Sequence, residues 1–401
     1  MTRTQAFPPP QETGTPRPRA GVLRWQAAHG TLGVPQAAAP IAFGLVALPL
    51  TGSVESGAAM VFAMTTAQVL GAVPVSRLGR RFNAVHYLRA LISVRTIALA
   101  VVTVLAAVGA PFAFLIAAVV AAGTVNGAAY GYQRLLLNHL VPPGRLPRAL
   151  GVAATLNEIN FALSPVLASL LGAISPVGAM AAITVLGVGP VLLMPRIPQA
   201  RGTKEAESTG AGPRVPGEVL LWLFCAAAGS AAVAAIEVGA VSLALAFGFE
   251  PGWAFLFASV LCSGSVLGGV WVSFRNRVPE RWKVVSFLAV SSAASGVILA
   301  GGHLALTLAG AAVLGFFLPS LGTFYSLILD ELAPPDRRAE MFAFLRTASS
   351  LGVITISGLL ALQGLRTALI GSTVLLLSAS CLAVLHSFSR WRRPSPWAHD
   401  T

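Results

Sequence analysis

Long apolar runs alternate with short polar connections along this chain, and the runs have the length of membrane-crossing helices. Twelve can be marked, at roughly 28–50, 54–75, 86–108, 112–136, 148–172, 176–195, 219–246, 252–274, 284–302, 305–329, 340–362 and 366–388. About 20 apolar residues in a helix cross about 30 Å of hydrocarbon. A chain embedded in lipid must also satisfy its backbone within its own segments, which helices do. The pattern predicts an all-α polytopic membrane protein with twelve transmembrane helices and both termini on one face. A soluble core has no use for so many consecutive apolar runs.

Composition sharpens this picture. The residues are 55% hydrophobic and only 10% charged, with a mean hydropathy of +0.77. The net charge of +13 raises the possibility of nucleic acid, but its placement excludes that partner. With the amino terminus in the cytoplasm, the tails and inner loops hold 22 of the 27 Lys and Arg residues. Arg89, Arg95, Arg134 and Arg346 fall inside helices, and Arg366 alone falls on an outer loop. That is the positive-inside pattern, with anionic lipid headgroups as secondary contacts. The expected location is the cell inner (plasma) membrane. Trp222, Trp253, Trp271, Trp282 and Trp391 stand at predicted helix ends, where an indole ring prefers the interface. Cys225, Cys262 and Cys381 lie inside helices and read as core residues, not as disulfides or a metal site. No cleavable signal peptide is expected, because residues 1–20 are polar and carry no apolar stretch.

A polar stretch near the middle divides the runs six and six. The expected organisation is a disordered tail at 1–25, a six-helix bundle at 26–195, a cytoplasmic linker at 196–218, a second six-helix bundle at 219–388 and a tail at 389–401. The two bundles are related in sequence. Val69-Leu70-Gly71-Ala72-Val73-Pro74-Val75-Ser76, followed by Arg80, matches Val266-Leu267-Gly268-Gly269-Val270-Trp271-Val272-Ser273, followed by Arg277, at an offset of 197. Leu140-Val141-Pro142-Pro143-Gly144-Arg145 matches Leu332-Ala333-Pro334-Pro335-Asp336-Arg337 at an offset of 192. Two matches at nearly one offset, each at the equivalent junction, mark a duplicated transporter.

At these junctions the chain resembles the major facilitator superfamily, in its bacterial exporter-like branch. The superfamily's inner loop between helices 2 and 3 reads G-x-x-x-D-R-x-G-R-R/K. Here Arg77, Gly79, Arg80 and Arg81 match, Ser76 replaces the acid and Ala72 the first glycine. The resemblance implies that this loop gates the two halves, although loss of the acid removes a charge-based latch. Exporters of the superfamily carry G-x8-G-x3-G-P-x2-G-G on helix 5, and this chain has Gly151, Asn160, Ser164-Pro165, Ala168 and Ser169 at that spacing. Small residues there imply close helix packing, with Gly151, Ser164 and Pro165 at the contact. The arginine that proton-linked drug exporters carry on helix 4 is missing from residues 112–130.

Ionisable groups inside a bilayer cost roughly 2.5–3.5 kcal/mol each on insertion scales, so each asks for a reason. Glu158 and Glu237 are the acids well inside predicted helices. Both are candidates for taking and releasing protons, Glu158 first because it lies about 15 Å into its helix at helical rise. Each has a competing structural reading as a paired or hydrogen-bonded acid. Arg95 is expected to snorkel or to pair structurally, and Arg346 to reach the interface. The helices that face the cavity in the superfamily supply Gln36, Asn126, Tyr130, Gln133, Asn160 and Tyr325 as candidate substrate contacts, with Tyr132 beside them. For any one of these, interhelical hydrogen bonding is the competing role. Prolines 35, 40, 165 and 319 fall within helices, where they can bend them.

No P-loop, H-E-x-x-H motif or paired cysteine cluster occurs, so neither enzyme chemistry, a metal nor a cofactor is expected. The reading is a monomeric secondary transporter that works by alternating access and exchanges protons for a small amphipathic or apolar organic compound leaving the cell. Uptake of a polar nutrient such as a sugar or amino acid is the alternative, and a non-transporting membrane sensor or scaffold a remote one.

Overall fold

The structure is a computed structural model that describes residues 19–142, 146–195, 217–275, 281–332 and 338–391. The expected disorder of the first residues, most of the 196–218 linker and the end of the second tail lie outside the described residues. Fourteen α-helices are described. The first half comprises α1 (Arg19–Thr51), α2 (Glu55–Leu78), α3 (Ala84–Ala107), α4 (Phe112–Leu140), α5 (Leu146–Ile174), α6 (Pro176–Leu186) and α7 (Gly189–Leu193). The second comprises α8 (Gly217–Glu237), α9 (Ala240–Ala246), α10 (Phe255–Arg275), α11 (Arg281–Ala300), α12 (Leu304–Leu332), α13 (Arg338–Gln363) and α14 (Leu365–Trp391).

Eleven segments among the described residues are long and apolar enough to cross a membrane. Helix α5 is not among them, because its described apolar part runs only from Ile159 to Ile174. Two expected spans are broken. The sixth is the pair α6 and α7, and the seventh is α8 and α9, interrupted at Val238–Gly239. Helix α1 begins at Arg19, ahead of the expected start at 26.

Local chemistry explains the ends. Asn83 caps α3, its Oδ1 accepting from the backbone N–H of Val85 at 2.9 Å and of His86 at 3.3 Å. Ser175 caps α6 by accepting from Gly178 N–H at 3.0 Å, with Pro176 in the first turn. Trp253 and Trp282 are exposed, as interface anchors should be. Trp222 corrects the expectation for its ring. It is 1% exposed and packs edge-on against Phe324 at 4.9 Å, inside the second half.

Each half is built on a close crossing that occurs twice. A Cβ on Gly71 would strike the carbonyl oxygen of Thr124, and one on Gly123 the carbonyl oxygen of Met64, so α2 and α4 touch backbone to backbone. A Cβ on Gly268 would strike the carbonyl oxygen of Phe316, and one on Gly315 that of Leu261, joining α10 to α12 in the same way. Gly71 and Gly268 are 197 positions apart, as are Met64 and Leu261, while Thr124 and Phe316, like Gly123 and Gly315, are 192 apart. The two sequence offsets are thus the two strands of one duplicated contact.

The halves meet along α2 with α13 and α5 with α10. At one end the seam is tight. A Cβ on Gly44 would come within 2.8 Å of Val241, one on Gly252 within 3.2 Å of Ala173, and one on Gly358 within 3.1 Å of Phe62. The opposite end carries the connection between α2 and α3.

Candidate functional site: the cavity between the halves

Two voids lie on the seam. The larger, about 790 Å³, is walled by α5 of the first half and by α8, α10, α12 and α13 of the second. The smaller, about 240 Å³, is walled by α1, α2 and α5 on one side and α8, α12 and α13 on the other. Phe161, Ser230, Val233, Glu237 and Leu318 border both. Most of the lining is apolar, interrupted by Asn157, Ser265, Thr323, Ser326 and Ser349. Glu237 is the only carboxyl among the described residues that line either void. It ends α8, immediately before the break at Val238–Gly239, so the helix stops where the acid meets the cavity.

The Glu158 side chain and Gly151 lie outside the described residues, so Glu237 is the proton candidate with a described position. Tyr325 is 4% exposed and borders the larger void, and its hydroxyl has no hydrogen-bond partner among the described residues. Its ring stacks at a tilt on Trp222, 6.3 Å away. Gln36 borders the smaller void. The other four candidate contacts are engaged elsewhere. Asn126 is buried, its Nδ2 donating to Gln36 Oε1 at 2.6 Å and to Gln68 Oε1 at 2.8 Å. Asn160 Nδ2 donates to the carbonyl of Gly30 at 2.7 Å, tying α5 to α1. Gln133 accepts an indole N–H from Trp25 on its backbone oxygen at 2.9 Å, and its Oε1 lies 3.2 Å from His29 Nδ1. Tyr130 carries the Arg346 guanidinium over its ring at 5.1 Å, a cation–π contact between the halves.

Arg95 does not snorkel. It is 3% exposed and sits inside the first half, held by Asn126 Oδ1 at 3.0 Å and by the carbonyls of Leu32 at 3.2 Å and Gly187 at 3.4 Å. Cys262 lines the larger void and donates its thiol to the carbonyl of Phe161, 3.0 Å away on the other half.

The loop after α2 is held by tyrosines. Tyr132 donates to the Ser76 carbonyl at 3.0 Å and Tyr87 to the Val75 carbonyl at 2.6 Å. A Cβ on Gly79 would strike both rings, which explains a glycine at that position. Arg77 and Arg81 are exposed, and the Arg80 side chain lies outside the described residues. Ser164 and Pro165 are buried in α5.

Sequence reasoning missed Asn157, Ser230, Ser265 and Phe161. Small polar residues on a cavity-facing helix carry no mark in the sequence to separate them from those that bond back along their own helix, as Ser263 does to the Ser259 carbonyl at 2.7 Å.

Comparison with known proteins places this arrangement. A family model described as Major Facilitator Superfamily matches residues 32–357. No curated protein matches. Among solved structures, a bacterial homolog of the human lysosomal transporter Spinster, inward-facing and occupied, superposes with a TM-score of 0.70 at 15% identity, covering 96% of this chain and 100% of that one. A bacterial homologue of the iron transporter ferroportin, inward-facing, gives 0.70 at 13% identity, covering 92% and 98%. A mutant of the nucleoside transporter NupG gives 0.69 at 11% identity, covering 91% and 99%.

Proposed function

The chain belongs to the Major Facilitator Superfamily, and from that premise we propose that it is a proton-coupled exporter of a small amphipathic or apolar organic compound, working by alternating access. Superfamily membership and the shared fold carry the general class, a membrane transporter. One observation carries the finer reading: a mostly apolar cavity on the seam between two duplicated halves is lined by a single described carboxyl, Glu237. An apolar wall suits an apolar cargo, because burial is worth about 25 cal/mol per Å² of apolar surface. A carboxyl on that wall can exchange a proton with whichever compartment the cavity opens to. Glu237 is therefore the proton carrier of this reading, and Glu158 on α5 is retained as the second candidate.

Helix α5 is the twelfth span in this account, and the termini, the loop at Ser76–Arg81 and the linker face the cytoplasm, since that assignment gathers the basic residues inside. The protein then acts as a monomer in the cell inner (plasma) membrane. Its partners are the cargo, protons and lipid; nucleic acid, metal and cofactor have no part.

Reconstitution tests the reading. Liposomes carrying the purified protein and a fluorescent amphipathic dye should move dye when a proton gradient is applied, and stop when an uncoupler dissipates it. Glu237→Gln should lower gradient-driven movement by at least about tenfold while leaving downhill counterflow in place, since the variant cannot ionise. Full gradient-driven transport by Glu237→Gln would remove this residue from the coupling role.

A further inference from the structure

The smaller void has a carboxyl on one wall and an amide on the other, and the direction of that amide is set from behind. Arg95 is buried, with Asn126 Oδ1 and two backbone carbonyls as partners and no carboxylate among them in the described residues. A guanidinium carries five N–H donors, no acceptor and a permanent charge. Only the oxygen of the Asn126 amide can face it, so the nitrogen of that amide faces away. Asn126 Nδ2 accordingly donates to Gln36 Oε1 and to Gln68 Oε1. Gln36 spends its oxygen on Asn126, and the end left for the smaller void is its Nε2 donor. With a neutral residue at 95 the three amides of Asn126, Gln36 and Gln68 could turn over together, and Gln36 would present oxygen instead. Beside a buried cation that turn would place N–H groups against N–H groups, a like-polarity contact in a low dielectric.

We propose that Arg95 holds the Asn126–Gln36 relay in one direction, so that the cavity meets its ligand with the Gln36 N–H, and that the ligand is an amphipathic compound whose polar head carries an oxygen acceptor, a carboxylate or a carbonyl. The inference rests on the transport reading only in taking this cavity as the ligand site. Arg95 is a positioning residue, and Gln36 touches the ligand. Glu237, on the opposite wall of the same void, is the competing reader of the head, and it would select an amine.

Three ligands with one tail and different heads separate these outcomes: phenylbutyrate, phenylbutyramide and phenylbutylamine. Their affinities for the full chain in nanodiscs are measured by calorimetry, with empty discs subtracted for partition into lipid. The acid and the amide should bind about tenfold more tightly than the amine, the ratio expected for one hydrogen bond made or missed in a dry site. Gln36→Leu should bring the three to within about twofold of one another. Arg95→Gln, which frees the relay to turn, should do the same. Should Arg95→Gln fail to fold, the ratio in Gln36→Leu decides. An amine preference in the wild type that Glu237→Gln abolishes would hand the head to Glu237 and overturn the proposal. So would an unchanged ratio in Gln36→Leu, or no saturable binding of any of the three at millimolar concentration. Binding is read here without transport, so a failed preference leaves the transport reading standing, and absent proton-driven flux leaves the preference standing.

Discussion

Two buried polar residues show how much a single group is worth in this protein. Among the described residues, Asn126 is the side chain that joins Arg95 to the glutamines. Asn126→Ala would remove three hydrogen bonds and leave a buried guanidinium with backbone carbonyls alone. The loss should be about 2 kcal/mol or more, since bonds to charged groups contribute about 1.5–3 kcal/mol; thermal unfolding in detergent would show it as a clear drop in Tm, and an unchanged Tm would contradict the network. Tyr325 is the opposite case. Its hydroxyl is buried at the cavity wall and unpartnered among the described residues, so Tyr325→Phe should hold or raise stability, by up to about 1 kcal/mol, while weakening ligand binding. A drop in stability with unchanged binding would make the hydroxyl a packing group. At this scale the sequence was half legible. Gln36, Tyr325 and Glu237 were singled out because polar groups on cavity-facing helices are few, and all three border a void. Asn126, Gln133 and Asn160 were indistinguishable from them, because residue type does not tell which way a helix is rotated about its own axis or which backbone carbonyl waits across the contact.

Among the elements, the paired crossings of α2 with α4 and α10 with α12 were only half legible. Gly71 and Gly268 fall inside the run repeated at an offset of 197, and a repeat that preserves glycine can preserve a close helix contact, whereas their partners on α4 and α12 lie outside both repeated runs. Substituting Gly71→Ala or Gly268→Ala should destabilise each half by about 1–3 kcal/mol, because the new methyl meets a carbonyl that belongs to a rigid helix. Gly131→Ala is the control: nothing stands within 4 Å of its added methyl, and alanine is the better helix former by about 1 kcal/mol. Equal melting temperatures for Gly268→Ala and Gly131→Ala would refute the backbone-contact account. The breaks at Gly187–Val188 and Val238–Gly239 were not legible. Both lie within continuous apolar runs, and an apolar run reads alike whether its helix is whole or interrupted.

For the whole molecule, the tight end of the seam gives the sharpest test. A Cβ on Gly252 would lie 3.2 Å from the Cβ of Ala173 on the other half, near the 3.5–4.5 Å spacing of disulfide-bonded Cβ atoms. In a chain with Cys225, Cys262 and Cys381 replaced, Gly252→Cys with Ala173→Cys should cross-link under oxidation and stop transport, and reductant should restore it. Transport that survives complete cross-linking would show that this end never parts. The membrane-crossing runs and the family were legible from hydropathy and the inner-loop residues, because both are recorded in chain order. The cavity was not, since it exists only where α5 meets α8, α10, α12 and α13.

The duplicated crossing carries a mechanical corollary. Helices that touch glycine to carbonyl have no side-chain cushion to shear, so α2 with α4, and α10 with α12, form two stiff pairs whose members cannot ratchet past each other. Any sliding within a half must then fall on its other helices, which these contacts do not lock.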